Sequence, residues 1–179
     1  MRQLITFDAQ QIAIVHQAAA VAEDRVSDAY KMSTSQWLKG KFDIKTLQDL
    51  EDSEIVNGPF AQVIRYVVQP ASLTLGSSSF DFYKICLQDH AILAAMESAA
   101  EIKLLPFALY ILAHELIHIV RFSKFLQNFE ASPAEQVAEE GRVHIKTRKI
   151  LSAVRLAGLD AVFDFFANWY QPIDDLRSP

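Results

Sequence analysis

A single cysteine, Cys86, serves 179 residues. No internal disulfide can form, and the chain reads as an intracellular, cytoplasmic protein. Glycine and proline are scarce, with 5 and 6 residues. No repeat, low-complexity tract or linker interrupts the chain, which reads as one domain over residues 1–179. Positive charge is also short: 17 Lys and Arg face 22 Asp and Glu, a net charge of −5. A strongly basic nucleic-acid binder is therefore not expected. No uncharged apolar run reaches 18 residues. The nearest, Leu104 to Val120, contains His114, Glu115 and His118. The first residues, MRQLITFDAQQ, have no apolar stretch of signal-peptide length before Asp8-Ala9-Gln10-Gln11. No membrane partner is expected. What remains is 51% hydrophobic and 22% charged, an ordinary globular composition.

Apolar periodicity predicts a helix from Asp8 to Met32, with Asp8 as N-cap and Ile12, Val15, Ala19, Ala22 and Val26 on one face. A short helix is expected over Ile44 to Leu50. Another is expected after Asn57-Gly58-Pro59, where Phe60, Val63, Ile64, Val67 and Val68 follow helical spacing, although the run also has strand propensity. Ser72 to Leu75 and Phe80 to Leu87 flank a Gly-Ser-Ser-Ser turn and predict a hairpin. Helices are expected from Asp89 to Ile102, from Lys103 to about Phe125, from Ser132 to about Ala157 and from Asp160 to Trp169. Ser132-Pro133-Ala134-Glu135 opens the third of these with a capping box and Pro at N1. The fold class is α+β, mostly helical, with a small hairpin or sheet packed on the helix that holds His114 and His118.

That helix carries His114-Glu115-Leu116-Ile117-His118, an H-E-x-x-H motif. Residues four apart share a helix face, so both imidazoles can reach one ion. Glu115 is turned about 100° from His114 and borders such an ion without ligating it, where a base would take a proton from water. Two histidines and a glutamate buried within five residues of an apolar helix are costly unless paired or bound to metal.

The motif helix and the helix after it resemble the zincin metallopeptidases. Metzincins need Gly three residues and His six residues beyond the second motif histidine. Here those positions hold Arg121 and Lys124, which excludes that subtype. The gluzincin type takes its third ligand from a Glu about twenty residues downstream on a following helix, where this chain has Glu135, Glu139 and Glu140. A helical wheel chooses among them. With Val137 at 0°, Val143, Leu151 and Val154 mark a buried side, and Glu140 (about 300°) and His144 (about 340°) join it. Glu139 (about 200°) falls with Glu135, Arg142, Lys146 and Lys149 and reads as a surface charge. The expected metal ligands are His114, His118 and Glu140. His144 is expected to support a ligand histidine or to stand in for Glu140. The level of contact depends on where the motif helix stops. Ending near Lys124 it brings Glu140 level with the histidines, and ending near Phe129 it brings His144.

The resemblance implies one Zn2+ per chain, with three protein ligands and an open position for water. It implies a zinc-dependent hydrolase or peptidase in which Glu115 is the general base and a peptide or small protein is the substrate. An electrophile should steady the oxyanion, with Tyr83, Tyr110, His90, Arg121 and Arg148 as candidates. The strand Phe80 to Leu87 is expected to offer an edge to an extended peptide. Two alternatives stand beside this reading. One is a zincin-like domain that binds metal or a partner without hydrolysis. The other is a ferritin-like di-metal carboxylate protein, since Glu115 to His118 is also E-x-x-H. That fold needs a second such motif, which the chain lacks.

Overall fold

The computed structural model describes residues 4–37, 41–69 and 79–167, together with the backbone of residues 174–177. Helix α1 (Ala9–Ala29) opens with the expected cap: Asp8 accepts from the Gln11 N–H, and the Gln11 side chain accepts from the Asp8 N–H. It buries Val15, Ala18, Ala22 and Val26, the stripe its periodicity predicts within one residue. Strand β1 (Phe42–Lys45) follows, then 3-10 turns at Leu47–Asp49 and Asp52–Glu54. Strands β2 (Ala61–Val68) and β3 (Phe80–Leu87) lead into α2 (Asp89–Ser98), α3 (Leu104–Ser123), α4 (Pro133–Leu151), α5 (Leu159–Ala167) and β4 (Asp174–Arg177). The fold is α+β and mostly helical, as expected.

The four strands form one sheet in the order β1-β3-β2-β4. β1 runs parallel to β3, β2 antiparallel to β3 and β4 parallel to β2. Ile85 on β3 faces Ile44 on one side and Val63 on the other. The sheet rests on α3 through two ring contacts. Phe60 meets Phe107 edge-on at 5.1 Å, and Tyr83 stacks on Phe122 at 5.9 Å.

Three expectations are corrected. Phe60 to Val68 is not a helix: Ala61–Val68 is a strand paired along its whole length with β3. Its apolar spacing suits either period, and the β-branched Val63, Ile64, Val67 and Val68 favour the pleat once a partner strand is present. Ile44 to Leu50 is not a helix either. Ile44 and Lys45 complete β1, and the chain then turns at Leu47–Asp49, where the buried Asp89 carboxylate accepts the Leu47 N–H at 3.0 Å. Finally, β2 is the antiparallel partner of β3; residues 72–75, the expected partner, lie outside the described residues. With β2 along its whole length on one side and β1 against Tyr83–Cys86 on the other, β3 is an inner strand and not the sheet edge expected for a peptide. Among the described residues the outer strands are β1 and β4.

Helix α3 is long and apolar enough, by length and composition, to cross a membrane. All of it except Leu105, Arg121 and Ser123 is buried inside the protein, between α1, the sheet and the helices that follow. It ends in a Schellman arrangement. Phe125 adopts a left-handed conformation (φ 56°), its N–H donates to the Phe122 carbonyl and the Leu126 N–H donates to the Arg121 carbonyl. Glycine usually occupies that position. Phe125 accepts it with its side chain 95% exposed. α1 stops in the same way at Lys31 (φ 52°).

Candidate metal centre

The early stop of α3 sets the level of everything after it. The chain reverses through residues 125–132, Ser132 and Glu135 cap one another, and α4 returns along α3. This is the shorter of the two expected geometries, and it brings Glu140 to the histidines.

The His114 and His118 Nε2 atoms lie 3.1 Å apart. The Glu140 carboxylate spans them, with Oε1 at 2.9 Å from His114 Nε2 and Oε2 at 3.2 Å from His118 Nε2. Ligand atoms on a tetrahedral zinc with bonds near 2.0–2.1 Å stand about 3.3 Å from one another. The two imidazole nitrogens stand close to that spacing, and one ligand atom from each of the three side chains lies within 4.8 Å of the others. The two ring nitrogens stand within hydrogen-bond distance of one another and of the carboxylate, and a cation shared among the three would replace those contacts. His114, His118 and Glu140 form a group that can hold a metal ion. Both histidines are completely buried, and the opening to solvent lies on the α4 side, where Glu140 is 20% exposed. Burial raises the Glu140 carboxyl, and the two imidazoles outweigh it, so the group is held below the usual glutamate range.

The wheel selected the glutamate that meets the histidines, from a misplaced face. Val137, its reference, is 75% exposed, and α4 is instead buried along Glu139, Val143, Thr147, Ile150 and Leu151. Glu139 is not a surface charge. It is buried, bonded to Arg121 Nε and, at 2.8 Å, to an Arg142 guanidinium nitrogen. Burial raises its carboxyl and the two guanidiniums outweigh that, so it too is held below its ordinary value. Neighbouring carboxylates thus divide: Glu139 is neutralised by arginine, and the ion-pair partners of Glu140 among the described residues are imidazoles.

Two residues around the cluster carry information that periodicity did not. Gln127 Oε1 lies 2.9 Å from His118 Nδ1. An amide oxygen only accepts, so Nδ1 carries a hydrogen, and Nε2, which faces the Glu140 carboxylate at 3.2 Å, can turn its lone pair to a cation by giving up the proton that the carboxylate would otherwise accept. No local signal marks Gln127; its role follows from the chain reversal alone. His144, one turn after Glu140, places Nε2 3.5 Å from Glu140 Oε1 and its ring 4.6 Å from that of His114. Its Nδ1 is 2.7 Å from the Tyr110 hydroxyl. Burial lowers the His144 imidazole to about 4, with nearby His114 adding to the effect. Burial raises the Tyr110 hydroxyl, with the Glu140 charge adding to it.

Among the candidate electrophiles, Tyr110 reaches the cluster, through His144. Arg121 is engaged by Glu139 and by the Leu126 carbonyl at 3.3 Å. Arg148 lies 5.3 Å over the Phe163 ring, and His90 Nε2 bonds the Val56 carbonyl at 3.1 Å. Tyr83 is stacked on Phe122, and burial pushes its hydroxyl up to about 12. Glu115 is completely buried on α3, one residue beyond His114. Comparison with protein-family models, with curated proteins and with solved structures returns no match.

Proposed function

We propose that this chain is a zinc-dependent hydrolase, a small metallopeptidase of the zincin type working in the cytoplasm, in which His114, His118 and Glu140 hold one Zn2+ and Glu115 is the general base. The observation that carries the reading is the convergence of both Nε2 atoms and one carboxylate from the following helix, with one ligand atom from each within 4.8 Å of the others. Two imidazoles and a carboxylate are the donor set of catalytic zinc sites, which keep a fourth position open. Bound there, zinc would acidify a water and polarise a substrate carbonyl.

The chain's own residues divide the remaining work. Gln127 fixes a hydrogen on His118 Nδ1 and so leaves Nε2 as the nitrogen to bind the ion. Glu140 bridges the two imidazoles and carries the negative charge that makes the donor set suit a dication. Glu115, on the same helix and shielded from bulk solvent, accepts the proton of the attacking water and can return it to the leaving amine. Substrate approaches from the α4 side, past Glu140 and His144, where the cluster meets solvent.

Complete burial of His114 and Glu115 favours a second reading, a zincin-like domain that binds metal without turnover. Metal analysis and a peptide library separate the two. The first reading expects one zinc per chain, cleavage by the wild type, and a Glu115→Gln variant that keeps its zinc while losing activity about 10²–10⁴-fold. A zinc-loaded wild type that cleaves no peptide supports the second. Loss of zinc in Glu115→Gln would make Glu115 a ligand and end the proposed base role. Two metals per chain would favour the ferritin-like alternative, although the described residues provide one His/Glu group and a four-stranded sheet.

A further inference from the structure

We propose that His144 is not a metal ligand but a hydrogen-bond donor to the substrate's carbonyl oxygen, with Tyr110 as the positioning residue that keeps its hydrogen on Nε2. The proposal rests on the hydrolase reading above and supplies the electrophile that reading lacks.

Tyr110 stands on α3 one turn before His114, so it shares the face of the motif histidines. Its ring is clamped against Phe166 of α5, at 4.2 Å and 14° between planes, with Phe163 edge-on at 6.1 Å. The hydroxyl is thereby held 2.7 Å from His144 Nδ1. Tyr110 is buried, and a buried hydroxyl hydrogen needs an acceptor. Nδ1 takes that part, so the hydrogen of the neutral imidazole sits on Nε2. A nitrogen that carries hydrogen has no lone pair for a cation.

His118 is the opposite case. Its Nδ1 faces an amide oxygen, which demands a hydrogen there and leaves Nε2 as the nitrogen that a cation can take in place of a proton. One pair of partners thus prepares a ligand and the other prepares a donor. Placement agrees with this division. His118 is buried, whereas the His144 side chain is 23% exposed and stands at the open side of the cluster. Its Nε2, 3.5 Å from Glu140 Oε1, lies at the edge of the donor set. A carbonyl entering from solvent passes that N–H. Hydrolysis moves negative charge onto the carbonyl oxygen, and one preorganised donor aimed at it is worth about 10²–10³ in kcat.

The test uses the full chain loaded with zinc, and methylphosphonate as a tetrahedral anion in place of substrate. Zinc affinity is measured by competition with a chromophoric chelator, and phosphonate affinity by calorimetry. Long-range ¹H–¹⁵N NMR reads which His144 nitrogen carries hydrogen. Expected results are a zinc Kd within about threefold of wild type for His144→Ala and phosphonate binding at least tenfold weaker. His144→Gln, which keeps an N–H, should recover part of it. Tyr110→Phe should leave zinc binding unchanged, weaken phosphonate binding and shift the His144 tautomer. A hundredfold loss of zinc affinity in His144→Ala would make His144 a ligand and overturn the proposal. So would unchanged phosphonate binding in that variant, no phosphonate binding by zinc-loaded wild type, or a hydrogen on Nδ1. A wild type that binds no zinc overturns instead the hydrolase reading on which the proposal stands.

Discussion

The protein buries carboxylates in two regions, and their surroundings differ in kind. At the junction of the sheet with α1 and α2, Asp89 accepts the Phe7 N–H at 2.8 Å and the Leu47 N–H at 3.0 Å. Nearby, Glu54 takes the Lys84 ammonium at 2.6 Å, and its carboxylate accepts the Glu51 N–H at 2.9 Å. Each of these acids ties distant segments together with donors the chain itself supplies. Between α3 and α4, Glu140 has imidazole nitrogens at its oxygens among the described residues, and those of His114 and His118 also face one another. A buried acid supplied with backbone N–H groups or an ammonium is complete as it stands, whereas one that meets two imidazoles of a neighbouring helix forms with them a group that can hold a cation.

Zinc should break the symmetry between the two regions most strongly. At about a thousandfold above its Kd, a ligand specific to the folded state adds about 4 kcal/mol of stability. Thermal melts with zinc and then with a chelator should show that gain and its removal. Glu140→Ala should abolish the zinc response. Glu139→Ala should keep it despite a lower starting stability, because its partners are Arg121 and Arg142. The reverse pattern would exchange the roles of the two glutamates.

The sheet-side acids should respond to mutation and not to metal. Asp89→Ala leaves two N–H groups without their acceptor and should cost about 2–4 kcal/mol in denaturant titration, with Asp89→Asn losing less. Glu54 offers a pH-dependent version. Burial raises its carboxyl, and the bonds from Lys84 and the Glu51 N–H outweigh that, leaving it below the ordinary value. A depressed carboxyl contributes stability above the unfolded pKa of about 4.3, and that contribution fades as pH falls through the lower folded value. Lys84→Met should therefore cost about 1–3 kcal/mol at neutral pH and progressively less in acid. A cost independent of pH would remove the ion pair from the account.

The smallest expected effect tests the turn that sets the level of the metal centre. Phe125→Gly relieves a left-handed conformation at an exposed side chain and should stabilise the chain by about 1 kcal/mol, measured by denaturant titration. If stability falls instead, the Phe125 ring has a packing role that its exposure does not reveal.

Much of the helical half was legible in the residues. Asp8 and Ser132 mark helix starts through side chains that reach only three residues ahead, and the His114–His118 spacing needs nothing beyond one turn of α3. Glu140 was legible only through its membership of the next helix, because Val137 looked like core and is exposed. The β2 strand was misread because Phe60 to Val68 satisfies two periods at once. Pairing with β3, a contact made across the sheet, decided between them.

The amino-acid order alone therefore determined where α1 and α4 begin, that two imidazoles share one face, and that an acid sits beside them. Those features depend on bonds within a turn or two. Tertiary structure decided which glutamate meets the histidines, that Gln127 and Tyr110 orient imidazoles, and that β3 lies inside the sheet. The physical reason is range: each of these depends on where a chain reversal or a partner strand places groups far apart in sequence, and local periodicity carries no record of it.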